Sequence, residues 1–186
     1  MDEHALRIFR LEVEGQCSYI LLADEAAHTA LTASTGPPDS NAVWMHLQTI
    51  VVSAANLSKI FWGSGGRSEE ERRPLRDLLK VRDDSPLRDP DLRNDFEHFD
   101  QRLDHWLERP YRGGFVGRNL SFEDVHFLRP EERFHHYDIG TGEVSFWDHA
   151  VSVPAITEEA AGILERCERL VEPEREEQRR ASEERG

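Results

Sequence analysis

The sequence is poor in lysine and cysteine and has no long apolar run. Of its 23 basic residues only Lys59 and Lys80 are lysine, and 37 Asp and Glu set the formal net charge at −14. That balance excludes a strongly basic protein that wraps nucleic acid through clustered cations. Cys17 and Cys167 are the only cysteines and stand far apart, so no disulfide framework is written here. A reducing, cytoplasmic setting is expected. No apolar stretch approaches the roughly 20 residues that span a bilayer. The opening MDEHALRIFR, acidic and then mixed, does not read as a secretory signal. No membrane partner is therefore expected. At 186 residues, 38% hydrophobic and 32% charged, the chain can bury a core without disulfides or metal.

The acidity is uneven. Residues 1–66 carry 3 basic and 7 acidic groups, residues 67–118 carry 12 and 13, and residues 119–186 carry 8 and 17. The middle third is Arg-rich and nearly neutral, so an anionic ligand is best sought there.

Apolar spacing predicts most of the elements. Residues 7–13 read as a short edge strand or a helical lead-in. Over 17–34, Tyr19, Leu22, Ala23, Ala26, Ala27, Ala30 and Leu31 recur at helical intervals until Gly36-Pro37-Pro38. Asp39 or Ser40 can cap a helix over 41–62 whose stripe is Val43, Leu47, Ile50, Ala54, Leu57 and Phe61. Trp44, Val51, Val52, Ala55 and Trp62 give that helix a second apolar face, which suits a central helix or one facing both core and partner. Residues 67–90 read as charged and broken by Pro74, Pro86 and Pro90, with a short helix around Leu75, Leu78 and Leu79. A further helix runs from an Asp89 N-cap and Pro90 to Glu108, with a core stripe of Leu92, Phe96, Phe99, Leu103, Trp106 and Leu107.

Residues 110–154 read as an insertion holding a β-hairpin, 134–137 against 143–147 around Asp138-Ile139-Gly140-Thr141-Gly142. Thr157 can cap a last helix with Ile156, Ala160, Ile163, Leu164, Cys167 and Leu170 on its apolar face. Residues 173–186 read as a charged, solvated tail. The expectation is a mainly α protein: one domain over 1–172, a bundle of four or five helices with a β-hairpin inserted before the last helix.

The third long helix carries the most chemistry. Advancing about 100° per residue places Asn94, His98, Gln101 and His105 opposite Leu92. Neutral hydrogen-bonding residues there suit a partly buried polar surface, such as a dimer seam or a cleft. Arg93 lies on the flank of the first turn, where free backbone N–H groups and the helix dipole favour an anion. Arg93, Asn94 and His98 therefore make a candidate phosphate site. Plain surface decoration, with Arg93 paired to Glu97 or Asp89 and His98 solvated, accounts for the same residues.

The run Leu92-Arg93-Asn94-Asp95-Phe96-Glu97-His98 resembles the Arg-Asn-x-x-x-His form of the R-x4-6-H motif of the HEPN superfamily (higher eukaryotes and prokaryotes nucleotide-binding). The resemblance implies a helical bundle that forms a homodimer and brings two motifs together. It implies a metal-independent endoribonuclease of toxin–antitoxin or phage-defence type, with RNA and an antitoxin or other protein as partners. Catalytically silent binding or dimerisation modules belong to the same superfamily. In the active form His98 would move protons, since an unperturbed imidazole titrates near 6.5. Arg93 would stabilise the charged phosphorane and Asn94 would orient it or the histidine. Products would carry a 2′,3′-cyclic phosphate, and no cofactor or metal is implied. Asp95, Glu97, Asp100 and Asp104 crowd this helix and oppose phosphate, which suits a restrained enzyme, a silent module, or an unrelated acidic helical protein.

Elsewhere His126, His135, His136 and His149 stand near Asp138 and Asp148, but adjacent His135 and His136 on a strand point to opposite faces, against a metal site. Gly113-Gly114-x-x-Gly117 lacks the strand and helix that flank a phosphate loop and reads as a turn. Cys17 and Cys167 read as buried small hydrophobes, and the four tryptophans as core or interface anchors.

Overall fold

A computed structural model describes residues 1–32, 36–63, 66–89, 99–108, 117–121, 134–146 and 149–183. Among them are five α-helices: α1 (Glu3–Thr32), α2 (Ser40–Trp62), α3 (Arg67–Leu79), α4 (Phe99–Leu107) and α5 (Val153–Glu183). Four strands form one small sheet before the last helix: β1 (Asn119–Ser121), β2 (His135–Asp138), β3 (Glu143–Phe146) and β4 (His149–Ser152). The mainly α expectation holds. The β-hairpin is present as β2 and β3, but it is the middle of a four-stranded sheet in the order β1-β2-β3-β4. Strand β1 runs parallel to β2, and the other two pairings are antiparallel.

Helix α2 is buried along the stripe read from its spacing. Val43, Leu47, Ile50, Ala54, Leu57 and Phe61 are at most 1% exposed. Trp44, Val51, Ala55 and Trp62 on its second face are also buried, so α2 is a central helix; Val52 faces solvent. Asp39 caps it, its carboxylate accepting from the Asn41 and Ala42 amides at 2.9 and 3.3 Å. At the other end Arg76, itself buried, donates to the Phe61 carbonyl at 2.5 Å and to the Glu69 carbonyl at 2.9 Å. A helix's last carbonyls lack partners inside the helix, and this guanidinium supplies one.

Helices α1 and α2 run antiparallel. Asn56 donates to Gln16 at 3.2 Å, while His46 sits in a groove with Ala26 and Ala30. Residues 7–13 belong to α1, which is one continuous helix. Helix α5 packs on the side of α1 that holds Val13 and Cys17, with Ile156, Ala160, Ile163 and Cys167 fully or almost fully buried. The sheet turns Tyr137, Val144 and Val151, which are cross-strand neighbours, into the same core.

Four sequence expectations are corrected. Helix α3 runs through Pro74, which is exposed, so the hydrogen bond a proline forfeits leaves the Glu70 carbonyl on an exposed residue. Helix α5 begins at Val153, not after Thr157, because Ser152 caps it by accepting from the Ala155 amide at 3.3 Å. The same helix continues through Pro173 to Glu183, so most of the supposed tail is helical; its Glu, Arg and Gln are good helix formers. The core stripe expected for 89–108 is also weaker than read: Leu103 and Trp106 are half-buried and Leu107 is 45% exposed. Leu92 and Phe96 lie outside the described residues.

The β2–β3 turn is tied to the start of α5. The Asp138 carboxylate accepts from Gly140 and Thr141, and the Gly142 amide donates to the Asp138 carbonyl at 2.8 Å. Gly142 then accepts from the Val153 amide at 3.0 Å. Its φ is +71°, and an added Cβ would meet Pro154 Cγ and Cδ at 2.8 Å. Gly142→Ala should therefore destabilise the fold by about 1–3 kcal/mol, from positive-φ strain and the clash with the proline ring. Urea denaturation would read this, and an unchanged midpoint would show the turn to be slack.

Candidate functional site

The residues singled out from the motif, Arg93, Asn94 and His98, lie outside the described residues. So do the Asp89 cap's expected partners at the helix start. The Asp89 carboxylate itself meets His149 Nε2 at 2.9 Å. On α4, Gln101 and His105 are solvent-exposed in the single chain.

What the fold does assemble is a cavity of about 640 Å³ between α2, the sheet and α4. The first turns of α2 supply Asn41, Trp44 and Gln48; β2 and β3 supply His135 and Phe146; α4 supplies Leu103; Arg118 stands beside them just before β1. The strand alternation explains the placement. His135 and Phe146 are cross-strand partners two residues from Tyr137 and Val144, so they share the face turned toward the helices. His136 takes the opposite face, as expected for neighbours on a strand, and its ring meets Asn119 at 2.9 Å.

His135 is the centre of the wall. Its ring lies 5.6 Å from that of Trp44, 4.7 Å from Phe134 and 5.2 Å from Phe146, centroid to centroid. Its Nδ1 lies 2.8 Å from the Gly117 carbonyl, which can only accept, so Nδ1 carries the proton and Nε2 is the basic nitrogen of the neutral ring. Burial among the aromatic rings pushes its pKa below 6.5, and the nearby Arg118 charge adds to this against the Gly117 hydrogen bond. Arg118 is exposed and donates to Asn41 at 3.0 Å, which holds its guanidinium at the rim. The Trp44 indole N–H is buried with no acceptor among the described residues. The site thus offers flat apolar faces, a neutral imidazole, two amides and one cation at the edge. That combination suits a planar heteroaromatic group bearing a negative charge.

Among the described residues no three His, Cys, Asp or Glu side chains gather into a metal site, and no helix is long and apolar enough to cross a membrane. Burial pushes the Cys17 thiol up to about 12 and the Cys167 thiol up to about 11, which suits packing and not nucleophilic attack. Trp44 and Trp62 are core anchors, as read. Arg118 and the pocket role of His135 and Phe146 were not read from the sequence. The available signal was the strand alternation, which puts His135 and Phe146 on one face. Comparison with protein-family models, curated proteins and solved structures finds no match.

The depressed pKa has a definite consequence. Below about 6.5 the unfolded chain binds a proton at His135 that the folded pocket resists. This residue's contribution therefore makes stability fall as pH drops through 6.5 toward the lower folded value. His135→Leu should remove that component. Urea denaturation between pH 7.5 and 5 should show the variant losing less stability than wild type; parallel losses would place His135 in a solvated site.

Proposed function

We propose that this protein is a metal-independent endoribonuclease resembling the HEPN type, with Arg93, Asn94 and His98 as its reacting group and the His135 pocket as the seat of a base. One observation supports joining the two: Leu103, five residues after His98, lines the same cavity as Trp44, His135 and Arg118. In sequence, the motif thus stands within five residues of a residue of the pocket wall. A base would lie against His135 and Phe146, with Arg118 pairing an adjacent phosphate. In the reaction the 2′-hydroxyl would attack phosphorus as its proton passes to a base. The 5′-oxygen would then leave with a proton from an acid. His98 from two protomers would fill those roles, and the arginines would carry the phosphorane charge. A homodimer, RNA, and an antitoxin or other restraining protein are the partners this reading implies.

The acidic setting favours a second reading. Exposed Asp100 and Asp104 on α4 and the net charge of −14 oppose a polyanion, which fits a silent module that binds one nucleotide or a protein partner.

Incubation of end-labelled total RNA with wild type and His98→Ala, both with EDTA, separates the two. The ribonuclease reading expects cleavage by wild type alone, leaving 2′,3′-cyclic phosphate and 5′-hydroxyl ends, and a loss of at least 100-fold in His98→Ala. Equal cleavage by both proteins would overturn the role of His98. No cleavage by either, with Trp fluorescence still quenched by mononucleotide, would favour the silent module.

A further inference from the structure

Helix α1 carries apolar side chains on a face that no described residue covers. Ile8, Leu11, Tyr19 and Leu22 are 48%, 53%, 55% and 64% exposed. They step by three and four residues around Gly15, so they form one stripe. Helix α5 covers the other side of α1, against Val13 and Cys17.

The stripe is symmetric. Ile8 and Leu22 lie seven residues either side of Gly15, and Leu11 and Tyr19 lie four residues either side. Gly15 sits at the centre of that symmetry. A glycine inside a helix costs about 1 kcal/mol relative to alanine. Nothing among the described residues calls for it, because an added Cβ would meet no atom within 4 Å. A glycine at the middle of an exposed stripe lets a second backbone approach closely.

We infer that two copies of this chain pair antiparallel along α1, crossing at Gly15. A twofold axis through that point sets Ile8 of each copy against Leu22 of the other, and Leu11 against Tyr19. Charge fits the same register. Arg7 and Glu25 are both exposed and lie 18 residues apart, which is five full turns, so they share one flank of the helix. Antiparallel pairing brings Arg7 of one copy beside Glu25 of the other, offset by about 3 Å along the axis. A parallel pair would place the two Arg7 side chains on opposite flanks of the seam and leave Arg7 and Glu25 18 residues apart along it, so neither charge would find its opposite. The inference is independent of catalysis, since the pair forms whether or not RNA is cleaved.

Sedimentation equilibrium of the full chain tests it. Wild type should be a dimer at micromolar concentration. Gly15→Glu, which replaces a poor helix former by a good one at an open position, should keep the melting temperature and weaken dimerisation at least tenfold. Arg7→Glu should weaken it, and adding Glu25→Arg should restore it. Mixing Ile8→Cys with Leu22→Cys proteins under oxidation should give a crosslinked dimer, while Ile8→Cys alone should not. A monomeric wild type, a dimer indifferent to Gly15→Glu, or crosslinking through Ile8→Cys alone would each overturn the antiparallel α1 pair.

Discussion

Helix α2 bears apolar side chains around more than half its circumference, and a helix so built has to be covered from two directions. On one side α1 lies along it, with α3 near its C-terminal end. On the other, the ring of His135 comes up against Trp44. The two ends are then closed by polar groups: Asp39 satisfies first-turn amides and Arg76 takes the Phe61 carbonyl. Arg76 and Arg88 also stand about 6 Å from the Trp62 ring, so the C-terminal end of α2 is finished by cations on an aromatic face. The pocket follows from this arrangement, because the sheet that covers Trp44 leaves space beside α4.

Much of the fold was legible because its strongest signals are local. The α2 stripe, the α5 stripe and the β2–β3 turn each lie within a short run of sequence, and each holds in the structure. Errors arose where tertiary context decides. Pro74 stays in a helix because its missing bond faces solvent. Strand β4, His-Ala-Val-Ser, is too short and mixed to announce itself beside a proline. Strand β1 pairs in parallel with a segment more than a dozen residues away, and no local pattern encodes such a pairing.

The candidate site divides in the same way. A motif such as Arg93-Asn94-x-x-x-His98 is read from neighbouring letters, so it could be found in the sequence. The pocket could not, because it gathers side chains from α2, β2, β3, α4 and the approach to β1. His135 illustrates the limit. Strand alternation set it opposite His136, against a shared metal site, but only the packing of Trp44 and Phe146 around it reveals an aromatic-walled imidazole.

Cys17 and Cys167 lie on α1 and α5, both fully buried, and Cys167 is close enough to add to the rise in the Cys17 pKa that burial causes. Their high pKa values and their burial make both inert to thiol reagents while the helices stay together. Any modification must therefore wait for α1 and α5 to part. The native chain thus carries its own clock for the opening of that seam, readable as a labelling rate without an engineered probe.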